Sequence, residues 1–138
     1  MSNRDVVNKI YTAFAAGNIP AVLELFDAAI EWYAAENSPL ADRSPYRGVN
    51  EVVEGVFTRI ELEFPGLAIQ VDELLDAGDK IVMLGRYHVV RKATGRRFHA
   101  QVAHIWTISS GRATKFQQCR DTYQVTQTAM SAQSVAAL

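Results

Sequence analysis

The sequence has a single cysteine, Cys119, among its 138 residues. One cysteine cannot form an internal disulfide, which fits a reducing compartment, and we predict a cytoplasmic protein. No run of apolar residues approaches the roughly 18 that a membrane span requires. The opening segment MSNRDVVNKIY also lacks the apolar stretch of a signal peptide. The sequence therefore predicts no association with a membrane.

The sequence also lacks an excess of basic residues, because 14 Lys and Arg face 15 Asp and Glu. Nucleic-acid-binding proteins usually carry a clustered basic excess. The densest basic run here, residues 91–97, flanks a turn signal and is interpreted as a solvated tip. No glycine-rich phosphate loop follows a strand, and no metal-ligand cluster occurs at tight spacing. We expect no nucleic-acid partner, no metal and no organic cofactor.

The first half of the chain has mainly helical periodicity. Residues 4–16 carry apolar side chains, Tyr11 among them, at three- and four-residue spacing, and a short helix follows with Pro20 in its first turn. A β-prone run surrounds Ile30, and a loop rich in Pro, Ser and Asp follows. Residues 49–63 return to helical spacing until the pair Pro65-Gly66.

The second half alternates between apolar and polar residues. Turn signals at residues 77–79, 94–95 and 110–111 divide it into four consecutive strands. Helices placed before an antiparallel meander predict an α+β fold, in which helices cover one face of a curved sheet. We expect one domain over residues 1–127 and a C-terminal tail over residues 128–138.

Strand register predicts which side chains share a face of this sheet. A two-residue turn at residues 94–95 pairs residues whose numbers sum to 189, and a loop at residues 109–112 pairs residues whose numbers sum to 221. The face expected to be buried holds Met83, Gly85, Tyr87, Val89, Val102, His104, Trp106, Cys119, Asp121 and Tyr123. The other face is mostly polar, includes His88 and His99, and is expected to meet solvent or a second subunit.

On this register Asp121 lies on the apolar face, which is a costly place for a carboxylate without partners or a function. Burial would raise its pKa toward the range useful for acid–base catalysis. His104 lies on the same face, roughly 13 Å away at 3.3 Å per residue, so a substrate or a bulge would have to bridge the two. An odd-length loop at Ser109 would place them on opposite faces instead.

The chain resembles the NTF2-like superfamily, particularly its SnoaL-like polyketide cyclases and ketosteroid-isomerase-like members. The segments that carry the resemblance are IYTAFAAGNIPAVLELF, IEWYAAE, YRGVNEVVEGVF and HIWTISSGRATKF with the acid at position 121. The resemblance implies a conical α+β barrel, with a curved sheet around a helix and one deep pocket. It also implies a homodimer formed through the outer face of the sheet.

The resemblance separates two activities. Ketosteroid isomerases carry a general-base aspartate at the position matching Ala34, and their helix-1 tyrosine falls nearest Ile10, one place from Tyr11. Steroid isomerisation by that route is therefore disfavoured. SnoaL-like cyclases carry a catalytic aspartate in the last strand, a role that Asp121 would fill.

The sequence thus predicts a cofactor-independent enzyme that moves protons on a small, apolar, carbonyl-bearing ring compound. Asp121 would be the acid–base residue and His104, with Tyr87, would stabilise the enolate oxygen. Asp121 could instead be a buried carboxylate satisfied by the backbone or by Arg side chains, or a strand-edge acid, and His104 could be a core histidine bonded to the backbone. The expected substrate-binding residues, which could equally serve the core, the rim or the surface, are Trp32, Tyr87, Trp106, Tyr123, Glu36 and Tyr46. The alternative is a non-catalytic domain that binds a small ligand or mediates dimerisation.

Overall fold

A computed structural model describes residues 1–121, and its helices precede most of the sheet. They are α1 (Asn3–Ala15), α2 (Ile19–Glu24), α3 (Val49–Val52), a π-helical turn (Val53–Phe57) and α4 (Thr58–Glu63). The last three follow one another directly and together form the helix predicted over residues 49–63. Within the described residues no helix is long and apolar enough to cross a membrane. Tyr123 and the predicted tail lie outside the described residues.

Local sequence fixes both ends of α1. The Ser2 hydroxyl accepts from the Asp5 backbone N–H, while the Asp5 carboxylate accepts from the Ser2 backbone N–H, so that a capping box starts the helix. Gly17 follows the helix with φ of 70°. The cap contributes about 1 kcal/mol, whereas each fully buried aliphatic side chain contributes about 1.5–3 kcal/mol. Since Val6, Val7 and Ile10 are buried, packing holds α1 in place more strongly than its cap.

The sheet has seven strands, two of them very short. They are β1 (Phe26–Tyr33), β2 (Tyr46–Arg47), β3 (Ala68–Ala77), β4 (Lys80–Val90), β5 (Arg97–Phe98), β6 (Gln101–Ser109) and β7 (Arg112–Arg120). Their order is β2-β1-β7-β6-β4-β3, with β5 paired to β4. Only the β1–β7 pair is parallel among the pairs formed by these strands. The sheet curls into a half barrel and confirms the predicted α+β fold.

The hairpin between β4 and β6 differs from the prediction by an even number of residues. Its pairs sum to 187, for example Met83 with His104 and Gly85 with Val102, because the turn holds four residues between Arg91 and Arg96. A shift of two residues keeps every side chain on its face. The predicted inner residues of β4 and β6 are therefore all buried.

The hairpin between β6 and β7 contains a β-bulge that changes the face of β7. Ser109 pairs with Arg112 as the predicted sum of 221 requires, but Thr107 pairs with Lys115, so that Thr114 is an extra residue. Beyond the bulge the sum is 222, and a one-residue shift exchanges the two faces. Gln118 and Arg120 consequently face inward. The predicted inward placement of Cys119 and Asp121 is wrong, and Cys119 is exposed.

Candidate functional site

The concave face of the sheet and the helices enclose a narrow cavity of about 60 Å³. At about 10–15 Å³ for each enclosed water, it holds a few waters as it stands, and a ring compound requires side chains of the wall to move outward. Apolar side chains form most of its wall. The aromatic members are Phe14, Phe26, Trp32, Phe57, Phe64, Phe98, Trp106 and Phe116. Such a wall favours a flat, apolar ligand.

The π-helical turn contributes to this wall. The π-helical turn includes Val56 and Phe57, both of which line the cavity. Gly55 lies in the same turn against the ring of Tyr46, and a Cβ at Gly55 would come within 2.1 Å of a Tyr46 ring carbon. Because π-helical turns inside helices are frequent at functional sites, the position of this one beside the cavity supports a binding role for the wall.

The polar side chains of the cavity form one connected network centred on His104. The Tyr11 hydroxyl lies 2.6 Å from His104 Nδ1, and the Tyr87 hydroxyl lies 2.5 Å from His104 Nε2. Trp106 Nε1–H donates to the Tyr11 oxygen at 2.8 Å, and Gln118 Nε2–H donates to the Tyr87 oxygen at 2.5 Å. The network therefore runs across three strands and α1, and it holds the imidazole between two phenols.

Burial decides the charge state of this network. It lowers the pKa of His104 to about 3, with the positive charge of Arg120 acting in the same direction, so that the imidazole is neutral at physiological pH. Burial also raises the pKa of Tyr87 to about 12 and raises that of Tyr11 well above its ordinary value. Both phenols are therefore protonated at physiological pH and act as hydrogen-bonding groups.

Arg120 lies at the end of the cavity where Gln118 and Tyr87 meet. Its guanidinium carbon is 6.0 Å from the centre of the Tyr87 ring, and Nη2 donates to the Ser38 hydroxyl at 2.5 Å. Burial is the main cause that lowers the pKa of Arg120. A hydrogen bond to a charged group contributes about 1.5–3 kcal/mol, while burying a charge costs several kcal/mol. The Ser38 contact does not offset that cost by itself.

Four of the predicted site residues line this cavity. They are Trp32, Tyr87, His104 and Trp106, and all four are buried. Ala34 also lies in the wall, where the resemblance places the missing base of the ketosteroid isomerases. Tyr11, Gln118 and Arg120 were not predicted as site residues. Tyr11 belonged to the apolar side of the first helix, and the bulge at Thr114 determines the placement of the other two.

Three other predicted residues do not line the cavity. Asp121 lies beside Gln101 on the outer face, where its backbone N–H donates to the Gln101 carbonyl at 3.0 Å. Glu36 is exposed in a separate surface depression. Tyr46 is buried, and its hydroxyl donates to the Leu40 carbonyl at 2.6 Å, so that it anchors the loop before α3.

Within residues 1–121 no group of three or more His, Cys, Asp and Glu side chains is placed to hold an ion. His88 and His99 face each other on the outer side of the sheet, as predicted, with their Nδ1 atoms 2.7 Å apart.

Comparison with known proteins places this chain in a family. Residues 7–116 match the SnoaL-like domain family, so the chain belongs to it. An NTF2-like protein from Burkholderia thailandensis is 32% identical, with 94% of this chain and 98% of that chain covered and a TM-score of 0.89. The chain is thus an NTF2-like protein, as the sequence indicated.

Two further structures show the range of this fold. An NTF2-like protein of unknown function from Burkholderia pseudomallei is 26% identical, covers 95% of this chain and 100% of its own, and has a TM-score of 0.85. A putative SnoaL-like polyketide cyclase from Jannaschia is 16% identical, with 93% of this chain and 90% of that chain covered and a TM-score of 0.75. At that identity the likeness concerns the fold alone. Among proteins of curated function, none matches the sequence.

Proposed function

We propose that this protein binds a small, apolar, carbonyl-bearing ring compound in its cavity and moves protons on it, in a cyclisation or an isomerisation. The observation that carries the proposal is the neutral His104 held between the Tyr11 and Tyr87 hydroxyls at the polar end of an aromatic cavity. The fold shared with a protein described as a putative SnoaL-like polyketide cyclase supports the same chemistry.

The hydrogen-bond pattern of the network leaves one tyrosine hydroxyl hydrogen free to bind a ligand. A neutral imidazole donates through one nitrogen and accepts through the other. One tyrosine therefore donates its hydroxyl hydrogen to His104, and the other tyrosine accepts the His104 N–H. Trp106 and Gln118 both donate to these oxygens and take no hydrogen from them. Within this network, one tyrosine hydroxyl hydrogen has no acceptor and is available for a carbonyl oxygen.

The same arrangement can move a proton without placing a charge in the apolar cavity. As one tyrosine gives its proton to the carbonyl oxygen, His104 replaces that proton from one nitrogen and receives another from the second tyrosine. The oxygen of the second tyrosine takes the ketone α-hydrogen in the same step, so that the ketone becomes an enol and no phenolate remains. The imidazole changes tautomer and remains neutral throughout, which suits its strongly lowered pKa. A developing enolate oxygen would be stabilised by preorganised donors in a low-dielectric site. This supports keto–enol interconversion as the elementary step.

Ligand binding without turnover is the second candidate, and one observation favours it. Within residues 1–121 no Asp or Glu side chain lines the cavity, so the described part of the chain offers no carboxylate base. The two candidates share the ligand class and differ in whether a proton leaves carbon.

Binding and proton transfer can be measured on the same samples. Trp32 and Trp106 line the cavity, so acetophenone or 1-indanone should change the intrinsic fluorescence on binding. Proton NMR in D₂O then follows loss of the ketone α-hydrogens. We expect the wild type to accelerate exchange and Tyr87→Phe to abolish the acceleration, while Tyr33→Phe, which alters a phenol outside the cavity, leaves it unchanged.

The outcomes separate the candidates. Binding with no accelerated exchange would identify a binding protein. No fluorescence response to any ring ketone would overturn both.

We also propose a homodimer formed through the outer face of the sheet. Leu75, Leu84 and Val90 expose 46%, 36% and 39% of their surface on β3 and β4, which supports an apolar contact there. Light scattering after size exclusion should give twice the monomer mass, and Leu84→Glu should give the monomer. A monomeric wild type would refute the proposal.

A further inference from the structure

Arg120 has a buried donor group that its described neighbours do not use. It is the last residue of β7, and the bulge at Thr114 turns its side chain toward the cavity. Among residues 1–121 no carboxylate forms an ion pair with it, and its buried Nε has no hydrogen-bond partner. Its Nη2 is bound to the neutral Ser38 hydroxyl. The cavity therefore has a cation at one end that these residues do not neutralise.

A purely structural explanation accounts for only part of this geometry. The Nη2 bond to Ser38 ties the loop after β1 to the sheet, and a loop anchor needs nothing more. A loop anchor does not explain the unpartnered Nε–H, because a guanidinium carries five N–H donors and this contact uses only Nη2. A neutral side chain could also anchor the loop without burying a charge. An anionic oxygen in the cavity would satisfy this donor and the charge together.

We propose that the ligand of this cavity is an anionic ring compound whose charged oxygen, a carboxylate or the enolate of an acidic enol, binds Arg120. The inference rests on the proposed function, which gives the location of the ligand, and it adds that this ligand is negatively charged. The attraction acts across an apolar interior, where it is much stronger than in water. Tyr87, next to Arg120, lies at the same end and can donate to the same group.

Matched ligands of one size test the charge directly. Isothermal titration calorimetry at pH 7 would compare benzoate with acetophenone, and 1,3-cyclohexanedione, an acidic enol, with cyclohexanone. We expect each anion to bind at least about tenfold more tightly than its neutral partner, the ratio typical of one charge-assisted hydrogen bond. The pair with the larger ratio of affinities shows whether the anionic oxygen belongs to a carboxylate, as in benzoate, or to an enolate, as in the dione.

Variants of Arg120 assign the preference to this residue. Arg120→Gln should remove the preference for the anion, Arg120→Lys should keep part of it, and Arg112→Gln, an exposed arginine of the same strand, should leave it intact. Ser38→Ala removes the loop contact alone and should also retain the preference. If Arg120→Gln does not fold, the shift of the Arg120 Nε–H resonance with benzoate in the wild type decides the question.

The outcomes of these experiments distinguish a failure of this inference from a failure of the proposed function. Equal binding of benzoate and acetophenone, or a preference unchanged in Arg120→Gln, would overturn the assignment of Arg120 and leave a cavity for neutral ketones. If no ring compound of either charge binds, the proposed function itself is wrong.

Discussion

His104 Nε2 lies 2.5 Å from the Tyr87 hydroxyl oxygen, in the wall of a cavity that is otherwise mostly aromatic. The Tyr11 hydroxyl lies 2.6 Å from the other imidazole nitrogen. A neutral histidine between two protonated phenols can pass a proton from one to the other while the second gives its own proton to a carbonyl oxygen and the first takes the ketone α-hydrogen. This relationship, rather than any carboxylate in the described residues, is the basis of the proposed chemistry.

Removal of the Tyr11 hydroxyl should destabilise the fold. Tyr11→Phe leaves the buried Trp106 Nε1–H and His104 Nδ1 without their partner, and an unsatisfied buried polar group costs about 1–3 kcal/mol. We expect urea unfolding to show a loss of that size. The control is Tyr33→Phe, whose hydroxyl bonds to Glu31 at a less buried position and which should cost under about 1 kcal/mol. Equal losses for both variants would show that the network adds no stability.

Stability should depend on pH through His104. Its pKa is about 3 in the folded protein, below its ordinary value of 6.5, so the unfolded chain binds a proton that the folded protein excludes. The neutral group therefore favours folding fully above pH 6.5, and this contribution falls by about 1.4 kcal/mol for each pH unit between 6.5 and 3. The free energy of unfolding should decline with that slope in the wild type relative to His104→Gln, which cannot titrate. A difference that does not change with pH would mean that His104 is not buried as a neutral group.

Gly55→Ala should destabilise the protein although alanine favours helices. The added methyl would come within 2.1 Å of the Tyr46 ring, and overpacking of this kind costs about 1–3 kcal/mol, more than the gain of about 1 kcal/mol in helix propensity. Thermal unfolding measures the net loss. Glu54→Ala, at the exposed neighbouring position, should change stability by under about 0.5 kcal/mol. A Gly55→Ala variant as stable as the wild type would show that the ring can move aside.

The bulge at Thr114 can be tested with the thiol of Cys119. Because the bulge turns Cys119 outward, Ellman's reagent should label the native protein rapidly. A cysteine moved one place, in the double variant Gln118→Cys with Cys119→Ser, should face the cavity and react slowly until urea is added. If the cysteine at position 118 reacted faster than Cys119, β7 would have no bulge and the side chain of Asp121 would face the cavity.

Comparison of the two hairpins shows why the sequence predicted the fold better than the site. In the β4–β6 hairpin the turn is two residues longer than predicted, and an even error left His104 and Tyr87 on the buried face. In the β6–β7 hairpin a single extra residue turns Arg120 inward and Asp121 outward, the reverse of the prediction. Apolar alternation determines which strands are half-buried, but a bulge leaves no clear signal in one sequence. The catalytic residue predicted for β7 depended on that residue count.

The helices show the same limit. Apolar spacing predicted the helix over residues 49–63 and its end before Pro65, both of which the structure confirms. It did not predict the π-helical turn that includes Val56 and Phe57 in the cavity wall. Likewise Tyr11 was predicted among the apolar residues of α1, since its spacing cannot show that the hydroxyl meets His104. Periodicity locates a face, and tertiary packing decides which polar atoms meet on it.

The most direct test of this account is a nitrogen-15 NMR titration of the His104 ring, with and without a saturating ring ketone. We expect one protonated and one unprotonated nitrogen from pH 8 down to about pH 4, a pKa near 3, and a shift of both ring resonances when the ketone binds the free tyrosine hydroxyl. A His104 that titrates near its ordinary pKa of 6.5 and does not respond to any ketone would contradict the neutral relay and the binding role of the cavity.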